Sequence, residues 1–273
     1  VYLDADPLVV DPGGPPVTTP DGWEPDQYNR FAAEREQPFW DLAALLEPVP
    51  SPDLVDLGCG DGRLTAALSR QLDAATTLGI DASPAMIGAT APFASDRIRF
   101  ETGDLADFER PGQFDVVVAN ASLQWVPDHA RVLARWTRSL RPGGQLAVQV
   151  PTNADHPSHL VAAELAGEWL DRPPPDPVAA NVLAPESYAA ILDDLGFTRQ
   201  HVRLQVYVHH LPSTGDVVEW VKGTSLNRFK EPLGPERWQA FVDAYRVRLL
   251  AVLGDRSPFV YLFKRILLWG RQE

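Results

Sequence analysis

The stretch Val55-Asp56-Leu57-Gly58-Cys59-Gly60-Asp61-Gly62 decides how this chain is read. Residues 54–57 are short and apolar, as a buried strand is, and residues 63–72 space their apolar side chains as a helix does. A strand that enters a helix through Gly58, Gly60 and Gly62 makes a sharp turn where a ligand can approach the backbone without meeting a Cβ. Roughly 20 residues on, at the end of the next apolar run, comes Asp81, where a carboxylate can accept both hydroxyls of a ribose.

Outward from this turn the chain alternates. Residues 77–80, 98–102, 114–119 and 145–150 read as further strands. Residues 84–91, capped by Ser83, and 127–140 read as helices, the second ended by the terminator Arg141-Pro142-Gly143-Gly144. Strands separated by helical crossovers predict an α/β fold: a Rossmann-like, mostly parallel sheet with helices on both faces. After Pro151 the rhythm changes. Helices are expected over 158–170, 185–195, 216–224 and 235–253, a stiff proline linker at 172–175, and strands over 198–210 and 259–269. The last two helices fall between the last two strands, which predicts a helical cap inserted before the final strand. Before the turn, residues 1–22 read as a Pro- and Gly-rich tail. Asp26 is placed to cap a helix carrying Tyr28, Phe31 and Arg35, with Pro38 kinking or ending it and a second short helix at 39–46. The domain reading is therefore a tail (1–22), a core with an N-terminal helical lid (23–150), and the rest of the sheet with its cap (151–273).

Composition bounds the function classes. A chain of 273 residues with 45% hydrophobic content can bury a sizeable core. A formal net charge of −13, with lysine only at Lys222, Lys230 and Lys264, argues against nucleic acid, whose phosphates need clustered cations. The same field repels a small anion, so an anionic acceptor needs a local cationic pocket. The single cysteine, Cys59, suits a reducing compartment. Together with the lack of a long apolar run or signal segment, it leads to an expectation of a cytoplasmic protein with no membrane partner.

The glycine turn alone leaves the ligand open. A dinucleotide site reads G-x-G-x-x-G, whose third glycine falls where this chain has Arg63, and Asp61 would stand close to the pyrophosphate. A cofactor bearing a positive sulfonium and an ammonium is a better electrostatic match than a nicotinamide dinucleotide. Two more strand ends carry polar groups: Gly103-Asp104-Leu105, where a carboxylate can take an adenine amino group, and Asn120-Ala121, beside the first strand where strand order should reverse. Cys59 lacks an anchored His–Asp pair and is not a nucleophile. The adjacent His209 and His210 point to opposite faces of a strand, so no metal is expected.

With these residues in hand the chain resembles the class I S-adenosylmethionine-dependent methyltransferases, and among them the trans-aconitate 2-methyltransferase family. The resemblance rests on Trp23-Glu24-Pro25, Asp56-Leu57-Gly58-Cys59-Gly60, Gly79-Ile80-Asp81-Ala82-Ser83-Pro84, Asn120-Ala121-Ser122-Leu123-Gln124-Trp125 and Glu219-Trp220-Val221. It implies S-adenosyl-L-methionine as cofactor and a small anionic acceptor. Its cofactor-binding set would be Tyr28, Arg35, Asp56, Gly58, Gly60, Asp81, Ala82, Met86, Asp104, Leu105, Asn120, Ala121 and Trp125. It implies Gln124, His159, His209, Trp220 and Arg228 around the acceptor, with Trp125 and Tyr28 positioning rather than catalysing. Where the family has Leu-Arg-Pro, this chain has Leu226-Asn227-Arg228, so the guanidinium is displaced by one position. A carboxylate acceptor, with an ordinary pKa near 4, is already a nucleophile at neutral pH and needs no base. The alternative is an O-methyltransferase acting on a hydroxyl with a histidine base.

Overall fold

The computed structural model describes residues 32–273, with side chains from residue 36 onward. The expected tail, the Asp26 cap, Tyr28 and Phe31 lie outside the described residues, as does the side chain of Arg35. In chain order the elements are α1 (Ala32–Ala43), β1 (Asp53–Leu57), α2 (Arg63–Gln71), β2 (Thr76–Asp81), α3 (Pro84–Ala89), β3 (Ile98–Thr102), β4 (Phe114–Asn120), α4 (His129–Arg138) and β5 (Leu140–Pro151). They continue with α5 (Pro157–Trp169), α6 (Pro177–Asn181), α7 (Pro185–Asp194), β6 (Arg199–Leu211), α8 (Gly215–Lys222), α9 (Lys230–Leu253) and β7 (Phe259–Arg271). Short 3-10 turns cover Leu123–Trp125 and Asn227–Phe229.

The strands form one sheet in the order β3-β2-β1-β4-β5-β7-β6. The first five are parallel, and β7 runs antiparallel to both β5 and β6. Strand order reverses between β1 and β4, so their carboxyl ends open the crevice in which ligands of such sheets bind. One face packs on α4 and α7 through Val55, Leu57, Val117, Ala119, Leu133, Trp136, Tyr188 and Phe197. The other packs on α1 and α2 through Phe39, Leu42, Leu54, Leu68, Val116, Val118 and Leu267. A third core joins α5, α8 and α9 over the outer end of β7: Val161, Leu165, Trp220, Phe229, Phe241, Tyr245 and Tyr261. This is the cap. Among the described residues no helix is long and apolar enough to cross a membrane.

Local chemistry accounts for most boundaries. Ser83 caps α3 by accepting from the Met86 amide, and Asp128 caps α4 from the left-handed region (φ 54°). Three expectations need correction. First, α1 continues through Pro38 rather than ending there, in one helix that packs Phe39 and Leu42 onto the sheet. Second, Arg141–Gly144 is not a loop beyond a helix. The helix ends at Arg138 and these residues lie inside β5, because Leu140 already pairs with Phe114 and the register shifts before Gln145 meets Val116. Third, α9 begins at Lys230, five residues before the helix expected at 235, and the break falls at Gly234 (φ 70°, ψ 165°).

Candidate active site

The glycine turn is held from two sides. The amides of Gly58 and Cys59 both donate to the Ile80 carbonyl (2.7 and 3.0 Å), which ties the turn to β2. From just beyond β4, Ser122 Oγ donates to the Leu57 carbonyl (2.6 Å), and a Cβ on Gly58 would lie 2.2 Å from the Ser122 Cβ. Gly58 (φ 91°), Gly60 (φ 56°) and Gly62 (φ 80°) all occupy the left-handed half of backbone space. Around Gly60 a Cβ would meet nothing within 4 Å, so the turn presents bare backbone to an open cradle.

Asp81 closes this cradle. Its Oδ2 accepts from the Gly60 amide and its Oδ1 from the Ser83 amide, each at 2.9 Å. A carboxylate offers about four lone-pair sites, so each oxygen keeps one for a further donor. Burial raises its pKa, against the pull of the two amides. Asp56 is more enclosed, with Oδ2 accepting from Thr65 Oγ1 at 2.5 Å. Burial, with the charge of Asp81 added, pushes its pKa up to about 6. Two neighbouring acids that resist ionisation make a place where a cation is welcome. Cys59 is buried and its thiol is pushed well up by burial and by these acids, which makes it a poor nucleophile.

Along the strand ends, Met86 and Leu105 are buried, while Asp104 is exposed and uses Oδ1 to accept from the Ala106 amide (2.8 Å). The Leu105 carbonyl is fixed by the indole of Trp136 (2.9 Å). At the end of β4, Asn120 is half-buried, and its Oδ1 is fully enclosed with no hydrogen bond among the described residues. Ala121 follows with φ 54°, its amide donating to the Gln149 carbonyl (2.9 Å). A strained non-glycine residue at a strand end is a feature of ligand sites.

The comparisons with known proteins agree with this geometry. The family described as Methyltransferase domain matches residues 55–148, from β1 into β5. The chain is 41% identical over 251 residues to the trans-aconitate 2-methyltransferase of Deinococcus radiodurans, covering 90% of this chain and 96% of that relative. It is 38% identical over 240 residues to that of Mycobacterium tuberculosis, with 86% and 89% covered. This chain belongs to the trans-aconitate 2-methyltransferase family. It is an S-adenosylmethionine-dependent methyltransferase. Its fold matches the YcgJ protein of Bacillus subtilis with a TM-score of 0.57 at 15% identity, over 87% of this chain and 99% of that one.

In the cap, three elements converge on Asp176, a carboxylate that the sequence alone did not single out. Asp176 accepts from Val178 N to cap α6 (2.9 Å), pairs with His159 Nδ1 on α5 (2.7 Å), and lies 3.3 Å from Arg228 Nη1. Burial raises its pKa, but the His159 hydrogen bond and the Arg228 charge outweigh burial and bring it down to about 2. His159 and Arg228 are thus brought together, through a shared acid. Arg228 also donates to the Ser225 carbonyl (2.7 Å) and lies 4.3 Å from the centre of the Phe229 ring. The α6 helix reaches the 3-10 turn at Leu123–Trp125, where Asn181 Nδ2 donates to the Gln124 carbonyl (2.9 Å). His209 and Trp220 also meet, ring centres 4.8 Å apart, in a cluster with Tyr261 and Phe263.

His129 is structural: it is buried between Tyr188 Oη (2.6 Å) and the Leu123 carbonyl (2.9 Å). Besides Asp176, the structure draws attention to Ser122, Gln149 and Arg265. Each had a faint signal in the sequence, as a polar residue inside or beside an apolar strand.

Proposed function

We propose that the β1–β4 crevice holds S-adenosylmethionine and that its methyl group passes to a carboxylate of a small multiply charged acid, with trans-aconitate the first acceptor to test. The observation that carries this is Asp81. It is half-buried, tied to the glycine turn through Gly60, and each of its oxygens keeps capacity for a further donor, which suits a ribose diol. Gly58 and Gly60 present backbone to the methionine portion. Asp104 serves the adenine amino group, with Met86, Leu105 and Ala82 flanking the base. Asn120 Oδ1, an enclosed acceptor, suits the cofactor ammonium, and Asp56 adds negative potential from behind. Trp125 and Tyr28 are assigned to the cation beside the acceptor, Arg35 to the cofactor carboxylate, and Ala121 to the strand-end backbone.

When bound, S-adenosylmethionine supplies an electrophilic methyl group on sulfur. The residues of the chain have a correspondingly limited task. They align an ionised carboxylate with that methyl and keep water away, and no side chain need remove a proton. On this reading Gln124, His159, His209, Trp220 and Arg228 shape and hold the acceptor. The test is incubation with methyl-labelled cofactor and a panel of di- and tricarboxylic acids, alcohols and phenols. Base-labile methyl ester on a polycarboxylate is the expected product. Label on a hydroxyl compound alone would overturn the reading.

A further inference from the structure

Buried side-chain atoms that make no hydrogen bond among the described residues divide by sign across the sheet. At the end of β4 and the turn after it they are acceptors, Asn120 Oδ1 and Gln124 Oε1. On β5, on the segment after it, on β6 and in the cap they include the N–H donors Gln149 Nε2, Asn153 Nδ2, Arg203 Nε and Arg228 Nε, with the Ser225 hydroxyl able to act either way. The amide orientations are fixed by their other bonds. Gln124 Nε2 donates to the Ala121 carbonyl (2.7 Å), Asn153 Oδ1 accepts from the Lys264 amide (3.1 Å), and Gln149 Oε1 accepts from Arg265 Nη1 (3.1 Å). The Asn120 oxygen suits a cationic cofactor, and the N–H donors suit an anionic methyl acceptor.

Gln149 is the sharpest case, being 0% exposed. A buried amide N–H left without a partner is costly, and a ligand oxygen relieves that cost. Its in-register partner on β4 is Asn120, so the two side chains share a sheet face at the edge of the crevice. On the far side Arg265 pairs with Pro151, which puts Arg265 on that same face. Arg265 is 6% exposed, and its guanidinium carbon lies 4.8 Å from the centre of the Phe263 ring. Arg265 thus lies two strands from Asn120, roughly 10 Å across the sheet at the usual strand spacing, a span suited to a small polycarboxylate.

We propose that Gln149 and Arg265 form the anchor for a non-reacting carboxylate of the acceptor, and so set specificity. Gln149 Nε2 and the guanidinium present N–H groups to the two oxygens of one carboxylate, while the Gln149 Oε1 bond holds the guanidinium in place. This rests on the methyltransferase reading above.

Two variants test it in the full chain. Arg265→Met removes the cation. Gln149→Glu keeps the shape but gives Arg265 an internal carboxylate that competes with the acceptor. Both should raise KM for trans-aconitate by about tenfold or more, with kcat within about threefold and affinity for S-adenosylhomocysteine within about twofold. The loss should be smaller for one of mesaconate and glutaconate, each of which lacks one carboxylate of trans-aconitate. A purely structural Arg265 predicts otherwise: Gln149→Glu would leave KM alone, or the loss would be equal for all three acids and accompanied by weaker S-adenosylhomocysteine binding. Any of these results overturns the anchor. If the wild type methylates none of the acids, it is the acceptor reading that fails. The anchor is then judged by calorimetry with tricarballylate and S-adenosylhomocysteine: binding lost in Arg265→Met upholds it, and equal or absent binding overturns it.

Discussion

The crevice and the cap handle buried charge in opposite ways. In the crevice Asp56 and Asp81 stand near each other with backbone amides and a threonine for partners, and burial drives both pKa values up. In the cap Asp176 is enclosed almost as fully, yet His159 and Arg228 bring its pKa down to about 2. The crevice leaves negative charge unmatched among the described residues and so favours a cation from outside. The cap settles its charges internally and leaves N–H and O–H donors over. On the function proposed above, a positive methyl donor and a negative methyl acceptor would meet on the boundary between the two.

The largest test removes the cap's internal match. Asp176→Ala strands Arg228 without its buried counter-charge, which should cost about 3–5 kcal/mol, read as a lowered denaturation midpoint. Because its folded pKa is depressed, Asp176 contributes stability that is present above the ordinary carboxyl pKa of 3.8 and is lost as pH falls toward 2. Asp176→Asn should therefore flatten the acid limb of the stability curve over that window. A wild-type-like melt for Asp176→Ala would mean the cap charges are matched elsewhere.

The crevice should respond with the opposite sign. Asp56 has a folded pKa of about 6 against 3.8 for the free group, so the folded state holds the extra proton and stability falls as pH rises through that interval. Asp56→Asn keeps an oxygen for Thr65 and removes the penalty. Its advantage over wild type should grow from pH 4 to pH 6 and level off at up to about 3 kcal/mol, measured by urea unfolding at each pH. An advantage that does not change with pH would show that Asp56 ionises as freely in the fold as outside it.

Asp81→Ala sharpens the contrast from the binding side. Losing an ionised acceptor for two hydroxyls should cost about 2 kcal/mol, roughly thirtyfold in the Kd for S-adenosylhomocysteine. KM differences among carboxylic acids should be unchanged. If acceptor selectivity moves as well, the two halves are not separable.

This asymmetry also explains what could be read from the sequence. The crevice is local chemistry: three glycines, a serine cap and apolar strands fix Gly58, Gly60 and Asp81 within a short run, so the fold and the glycine turn were both legible. The far edge of the crevice and the cap are assembled across long separations. Gln149 and Arg265 are 116 residues apart, and Asp176 gathers partners from α5 and from the 3-10 turn at Asn227–Phe229. Nothing in a linear pattern announces such a meeting. The errors in the fold have the same origin. Arg141-Pro142-Gly143-Gly144 reads as a terminator until pairing of Leu140 with Phe114 draws it into β5. The five-residue α6 is too short to leave a period, and it exists because Asp176 caps it.

The smallest expected effect is no effect, and it bears on the acceptor directly. A carboxylate with a pKa near 4 is fully ionised from pH 6 to 8, so kcat at saturating substrate should stay flat across that range. The histidines whose environment is clearest agree. Burial and the neighbouring His159 hold His156 down to about 4, so it neither gains nor loses a proton in that window, and burial also lowers His129. Single replacements of His156, His159, His209 and His210 should change KM or stability but leave kcat within about tenfold of wild type, the lower end of what a general base contributes being about a hundredfold. A hydroxyl acceptor would behave otherwise. Its proton must leave during transfer, and a histidine taking it would impose a rising limb near pH 6.5 that vanishes when that histidine is replaced. Such a limb, seen with the true acceptor, would remove the carboxylate from the mechanism. The donor-rich half of the molecule would then have to be reread as a site for a neutral hydroxyl compound.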